Sequence, residues 1–149
     1  CIGKNVAAHE DVYTRIIKEG HAVGNHTFNH LNGWKTSKHL YLENIDAAQK
    51  LINSALFRPP YGKITFSQIR HLLKHQQQFK IIMWTVLSGD FDAGISNTKC
   101  LQNVINNTGK GSIVVFHDSE KALSKIQFAL PKVLAHFTEL GYKFEKITV

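Results

Sequence analysis

Gly111-Ser112-Ile113-Val114-Val115-Phe116-His117-Asp118 carries the chain from a turn, through an apolar run, to two ionisable side chains. The run over residues 112–116 reads as a strand with both faces covered, the mark of a parallel sheet packed under helices. In such folds the chemistry gathers at the carboxyl ends of the strands, where His117 and Asp118 stand. The preceding Gly109-Lys110-Gly111-Ser112 has the look of half a phosphate loop. The G-x-x-x-x-G-K-[ST] spacing is absent, however, and a strand follows where a helix is needed, so it reads as a turn.

Outward from this strand, short apolar runs alternate with longer amphipathic ones. Cys1-Ile2 reads as the end of a strand. Asp11 to Glu19 places Val12, Tyr13 and Ile16 on one helical face and stops at Gly20. His21 to Gly24 reads as a short strand, and Lys38 to Ala55 as a helix with Leu40, Ile45, Ala48 and Ile52 inward. Leu56-Phe57-Arg58 is a strand stub halted by Pro59-Pro60. The spacing of Ile69, Leu72 and Leu73 predicts a helix over Thr65 to Gln77. Ile81 to Val86 reads as a second fully covered strand, and Thr98 to Asn107 as a helix carrying Leu101, Val104 and Ile105. A last helix ends near Leu140-Gly141 with Leu130, Val133, Leu134 and Phe137 inward, and Pro131 in its first turn or kinking it. Tyr142 to Thr148 reads as the final strand. The alternation predicts a mostly parallel sheet or barrel covered by helices.

The 149 residues suit one domain with a real core. Eighteen basic against eleven acidic residues leave a formal charge of +7. Such a balance can serve nucleic acid, an anionic envelope polymer or a membrane surface. The lysines are scattered, with no basic helix stripe and no aromatic–basic alternation, so a solvated surface is expected and no nucleic-acid partner. No apolar run approaches the ~20 residues of a transmembrane segment. Cys1 and Cys100 form no C-x-x-C and no disulfide framework, and Cys100 reads as packing.

Each of four predicted strands is followed by polar or ionisable residues: His26-Thr27-Phe28-Asn29-His30, Arg58-Pro59-Pro60-Tyr61-Gly62, Ser88-Gly89-Asp90-Phe91-Asp92 and His117-Asp118. Taken singly, each has a bland alternative. An H-x-x-x-H pair is weak evidence for a metal, Arg58 suits a structural ion pair, and His117 suits a satisfied core histidine. Jointly the alternatives do not explain why all four sets fall on one expected rim. His26 and His30, one helical turn apart on this reading, can share one ion.

H-T-F-N-H, R-P-P-Y-G, W-T-V-L-S-G-D-F and I-V-V-F-H-D, in this order and spacing, resemble the later motifs of the NodB-type polysaccharide deacetylases, carbohydrate esterase family four. The similarity starts at Cys1-Ile-Gly-Lys-Asn-Val and runs nearly the whole length. It implies a distorted (β/α) barrel and metal-dependent removal of acetyl groups from the N-acetylated sugars of a glycan. His26 and His30 would be ligands of one divalent metal ion, zinc by preference, with cobalt or nickel as alternatives. Arg58 would orient the catalytic base, and the backbone N–H of Tyr61 would help bind the oxyanion. Asp90 would hold and tune His117, the general acid. Trp84, Phe91 and Val115 would form apolar walls near the acetyl methyl, with Pro60 and Tyr61 also beside the substrate. Phe91 and Val115 stand where the family usually has Trp and Leu, which alters pocket shape.

The family's first motif, T-F-D-D-G, which supplies the base carboxylate and third metal ligand, does not occur in the chain. Residues 1–149 are therefore expected to be a deacetylase domain incomplete at its N-terminus, missing its first strand or strands. The chemistry implied fits those groups. A divalent ion lowers the pKa of its water toward ~7 and polarises the acetyl carbonyl. Backbone N–H groups hold the oxyanion, and a protonated His117 delivers the proton to the departing sugar nitrogen. Two other classes stay open: a carbohydrate-binding member of the fold without catalysis, and a metal-dependent hydrolase of small amides. The polysaccharide, the oligomeric state and the compartment, cytoplasmic or cell-envelope, are left open.

Overall fold

The computed structural model describes residues 1–74 and 78–148, which fall into two units. The first holds residues from Cys1 to Met83 with the end of the chain from Lys146 on; the second runs from Trp84 to Glu145.

The first unit opens with α1 (Gly3–Ala8) and α2 (Glu10–Lys18). Glu10 and Asp11 in the first turn of α2 and Arg15 and Lys18 in its last complement the helix dipole. The chain leaves through Gly20 at φ +83°, as its position after the apolar periodicity predicts. The helix α3 (Lys38–Gln49) starts where the Ser37 side chain accepts the Leu40 N–H. It buries Tyr41, Asn44, Ile45 and Ala48, one stripe at helical spacing. After β1 (Leu56–Phe57) and a tight turn over Pro60–Gly62, α4 (Phe66–Lys74) leads toward β2 (Lys80–Ile81). The two strands pair in parallel with Phe57 opposite Ile81, and Asn25 makes a parallel bridge to the other side of Phe57. A helix separates each of these extended stretches from the next, so local sequence order produces the βα alternation. Tyr41, Ile45, Phe57, Leu72 and Phe79 form one core cluster; Val6, Ala48 and Ile52 form another.

The second unit repeats the pattern with β3 (Val86–Leu87), α5 (Asn97–Ile105), β4 (Val114–Val115) and α6 (Leu123–Glu139). The strands pair in parallel with Leu87 opposite Val115. Ser96 caps α5 by accepting the Lys99 N–H at 3.1 Å. Lys125, Ala129, Val133 and Phe137, four apart along α6, are its buried residues, and Val133 and Phe137 meet Val104 of α5.

The described residues form two short parallel ladders, one in each unit, in keeping with the parallel pairing expected. Several other expectations are corrected. Ile81 to Val86 is not one strand. It splits into β2 and β3, because the Arg58 guanidinium takes the carbonyls of Ile82 and Met83. The 112–116 strand shortens to Val114–Val115, with Ile113, Val114 and Phe116 only part-buried. His21 to Gly24 is not a strand; pairing is confined to Asn25, whose N–H donates to Leu56 and whose carbonyl accepts from Arg58. Before α1, Ile2 is extended as expected of a strand end, and the Cys1 carbonyl accepts the His26 N–H. The helix from Lys38 stops at Gln49, whose side-chain amide bonds the Ser54 carbonyl and turns the chain into β1.

Tyr142 to Thr148 forms no strand among the described residues. The Tyr142 N–H returns to the Phe137 carbonyl and closes the end of α6 around Gly141 at φ +78°. Pro131 lies inside α6, since the helix begins at Leu123, and Leu134 is exposed because the buried stripe follows a strict four-residue step. Residues 75–77 of the predicted Thr65 to Gln77 helix lie outside the described residues.

Candidate active site

His26 and His30 do lie together, though not on a helix. Their ring centroids are 4.9 Å apart, while Thr27 and His30 adopt φ +61° and +57°. Left-handed backbone at a residue with a side chain costs on the order of 1 kcal/mol and survives only where the surroundings impose it. Asn25 imposes it here. It is fully buried, its amide donates to the Ile45 carbonyl and to Gln49 Oε1, and its Oδ1 accepts the Thr27 N–H at 2.9 Å. The Thr27 hydroxyl then accepts the Leu31 N–H, and Asn44 Oδ1 accepts that of Asn29. Gly24 lets this loop lie against β1, since a Cβ there would sit 3.1 Å from the Leu56 carbonyl oxygen.

His26 Nδ1 is 2.6 Å from the Arg58 carbonyl oxygen. A carbonyl can only accept, so Nδ1 carries the proton and Nε2 keeps its lone pair. Burial, with a smaller contribution from the neighbouring His30 and Arg58, lowers the His26 pKa from 6.5 to about 4, against the opposing backbone bond. The ring is therefore neutral near pH 7, the form that ligates metals. Two imidazoles at this separation, one with its second nitrogen anchored on a carbonyl, fit as two ligands of a divalent ion. Among the described residues they are not part of a cluster of three or more His, Cys, Asp or Glu side chains.

The Pro59-Pro60 turn delivers Tyr61 to the same place. The Tyr61 ring packs edge-on against His30, with centroids 4.7 Å apart. Its backbone sits at φ +59°, fixed by the bonds from Gly62 N–H to the Pro59 carbonyl and from Lys63 N–H to that of Pro60. The Tyr61 N–H itself lies between these two and takes part in neither. Arg58, half-buried, sends Nε to the Ile82 carbonyl at 3.1 Å and Nη2 to that of Met83 at 3.2 Å. Burial pulls its pKa down from the usual value. His26, His30, Arg58, Pro60 and Tyr61 are thus all assembled in the first unit.

The second unit assembles the rest of the candidates around Asp90 and His117. β3 and β4 are neighbours, so the residues beyond Leu87 and Val115 emerge side by side. Asp90 is fully buried, and its carboxylate accepts the His117 backbone N–H at 2.5 Å and lies 2.7 Å from Nδ1 of the same residue. The loop that carries Asp90 is held by the Ser88 hydroxyl, by the Asn103 amide on the Ser88 carbonyl, and by Gly89 at φ +79°. A Cβ on Gly89 would meet Ile95 at 2.8 Å. Phe91 packs edge-on against the His117 ring at 5.0 Å, Val115 is buried in β4, and Trp84 is half-buried before β3.

Sequence reasoning missed Asn25, Asn44 and Gln49. A signal existed in Asn25-His26-Thr27, where an Asn two residues before a left-handed Thr makes an Asx turn. Nothing local marks Asn44 or Gln49, which act across helix α3.

The chain is 29% identical over 150 residues to the peptidoglycan-N-acetylglucosamine deacetylase of Bacillus cereus, covering 96% of this chain and 54% of the relative. It is 28% identical to chitin deacetylase 2 of Saccharomyces cerevisiae, covering 89% of this chain and 46% of that one. It therefore spans about half the length of these curated relatives. Among solved structures it matches the Bc1960 peptidoglycan N-acetylglucosamine deacetylase with a TM-score of 0.90 at 28% identity, covering 98% of this chain and 70% of that one. The polysaccharide deacetylase family itself matches residues 1–79, more than half of the 149, and the chain belongs to that family.

Proposed function

We propose that the protein hydrolyses acetyl groups from the N-acetylated sugars of a polysaccharide, peptidoglycan or a chitin-like chain, within a distorted (β/α) barrel. The observation that carries this reading is the neutral, anchored His26 that lies beside His30 in the first unit; in the second, separately, His117 is held by the Asp90 carboxylate. Membership of the family and the names of its relatives support it.

On this reading His26 and His30 hold a divalent ion, zinc by preference, which when bound supplies Lewis-acid polarisation of the acetyl carbonyl. The backbone N–H of Tyr61, aimed by the strained turn, donates to the developing oxyanion, and the loss of one such donor costs ~10²–10³ in rate. His117 presents the nitrogen opposite its Asp90 bond to the departing sugar nitrogen and gives up a proton there. Asp90 fixes the ring for that transfer. Arg58 positions the base carboxylate, and Pro60, Trp84, Phe91 and Val115 shape the space for the acetyl methyl.

The test is acetate release from peptidoglycan fragments and from N-acetylglucosamine oligomers by the intact protein, with and without a chelator. Release that the chelator stops is the expected result; none on either substrate, with metal restored, rejects the reading. A second reading, a carbohydrate binder of the same fold without catalysis, is favoured by one observation: the described donor set at His26 and His30 contains no carboxylate. Glycan binding without acetate release would select it.

A further inference from the structure

Two exposed aromatic rings stand on the segments that also carry His30 and Tyr61. Trp34 is 63% exposed and Phe66 88% exposed. With Ile64, Thr65 and Ile69 they line an open apolar groove of about 440 Å³. The indole is fixed in place, because its N–H donates inward to the Ile64 carbonyl at 3.0 Å. The Lys63 ammonium lies over the ring, 4.0 Å from its centroid. The two segments are stitched together by the Gly33 N–H on the Lys63 carbonyl and the Gln68 amide on the Gly33 carbonyl. No side chain larger than hydrogen fits at Gly33, where a Cβ would come 2.4 Å from the Lys63 carbonyl oxygen. The surface is thus apolar around a fixed indole, with a cationic hydrogen-bond donor over one face of that ring.

We propose that Trp34 and Phe66 form a stacking platform for a sugar ring of the same glycan whose acetyl group lies at His26 and His30; this rests on the deacetylase reading above. The axial C–H face of a pyranose is apolar and carries partial positive charge, which suits the negative face of an aromatic ring. Its rim of hydroxyls suits a lysine ammonium, and Lys63 supplies one. Trp34 follows His30 by four residues and Lys63 follows Tyr61 by two, while His30 and Tyr61 touch. A polymer seated with one unit at that pair must continue over adjoining surface. The groove is also of the size of a small-ligand site, ~300–1,000 Å³.

The test is calorimetric titration of the intact protein, metal removed by chelator, with the dimer and the hexamer of N-acetylglucosamine. Trp34→Ala and Phe66→Ser should each weaken hexamer binding roughly 3- to 10-fold and leave the dimer nearly unchanged, while Trp34→Phe restores most of the loss. Phe66 is so exposed that its replacement cannot act through misfolding, which keeps the test informative if Trp34→Ala is unstable. Unchanged hexamer affinity in both variants overturns the platform even if deacetylation is intact. So does an effect on sedimentation without an effect on hexamer affinity, which would identify a protein partner for the groove. Weakened hexamer binding in a protein that releases no acetate keeps the platform and rejects the catalytic reading instead.

Discussion

His117 is bonded twice to Asp90: its backbone N–H and its Nδ1 reach the two different oxygens of one fully buried carboxylate, at 2.5 and 2.7 Å. The residue's main chain and ring are therefore fixed by the same group. Asp90→Ala should leave a buried N–H without its acceptor and cost about 1–3 kcal/mol in urea denaturation. Asp90→Asn retains an oxygen for the backbone and should recover part of that stability. It presents an amide N–H₂ in place of the second oxygen, from which Nδ1 can only accept, so the ring takes the opposite tautomer and acetate release should not be recovered. Equal rescue of stability and activity by Asn would separate the pair from catalysis.

His26→Ala and His30→Ala should each abolish tight zinc binding in the intact protein while the far-ultraviolet circular dichroism is retained. Both side chains lie on a loop that Asn25, Thr27 and Asn44 hold through bonds of their own. Calorimetry showing unchanged zinc affinity in the double variant would remove both from the ligand set.

Asn25→Ala should act on the same readout from a distance. Its amide and carbonyl satisfy Ile45, Gln49 and Thr27, and no Ala can hold Thr27 at positive φ against the strain. A loss of ~2–4 kcal/mol is expected from the broken buried network. Zinc affinity should fall at temperatures where the protein is still folded. If affinity holds while stability drops, Asn25 supports the fold only, and the His26–His30 geometry is set elsewhere.

Cys100 offers a pH-dependent check on the second unit. Burial, and then the nearby Asp90 carboxylate, push its thiol pKa up, with Ser88 and Lys125 opposing. The folded-state pKa is above the unfolded one, so this contribution is present below the unfolded value and is lost as pH rises through the folded one. At pH 8 a disulfide reagent should modify exposed Cys1 quickly and Cys100 only on unfolding. Rapid reaction of both thiols in the native protein would show the α5 packing to be wrong.

Element identity was legible where periodicity was long: α2, α5, the start of α3 and the end of α6 stand close to where apolar spacing puts them. Strand length was not. Apolar runs such as Ile81 to Val86 state that a segment is covered, but its carbonyls at Ile82 and Met83 were claimed by Arg58, a contact no local pattern encodes. The site split the same way. His26 and His30 were found, but the reason they meet is a left-handed turn held by Asn25, Gln49 and Asn44, the last two on a helix begun more than ten residues later. Asp90 and His117 were paired through motif resemblance, and the parallel register of β3 with β4 is the physical cause.

His117 should behave as a proton donor and not as a ligand. It stands two residues past the end of β4, its Nδ1 occupied by Asp90, its side chain 39% exposed so that the other nitrogen is open to a substrate. An amide needs that proton because an amine anion is a poor leaving group. An activated aryl acetate does not, since its leaving group departs as a stable anion. His117→Ala in the intact protein should therefore keep zinc and hexamer binding and lose ~10²–10⁴ in kcat on an N-acetyl sugar. The aryl acetate should be cleaved at close to the original rate. Comparable losses on amide and ester, or loss of zinc itself, would assign His117 to coordination and leave the proton donor to another residue.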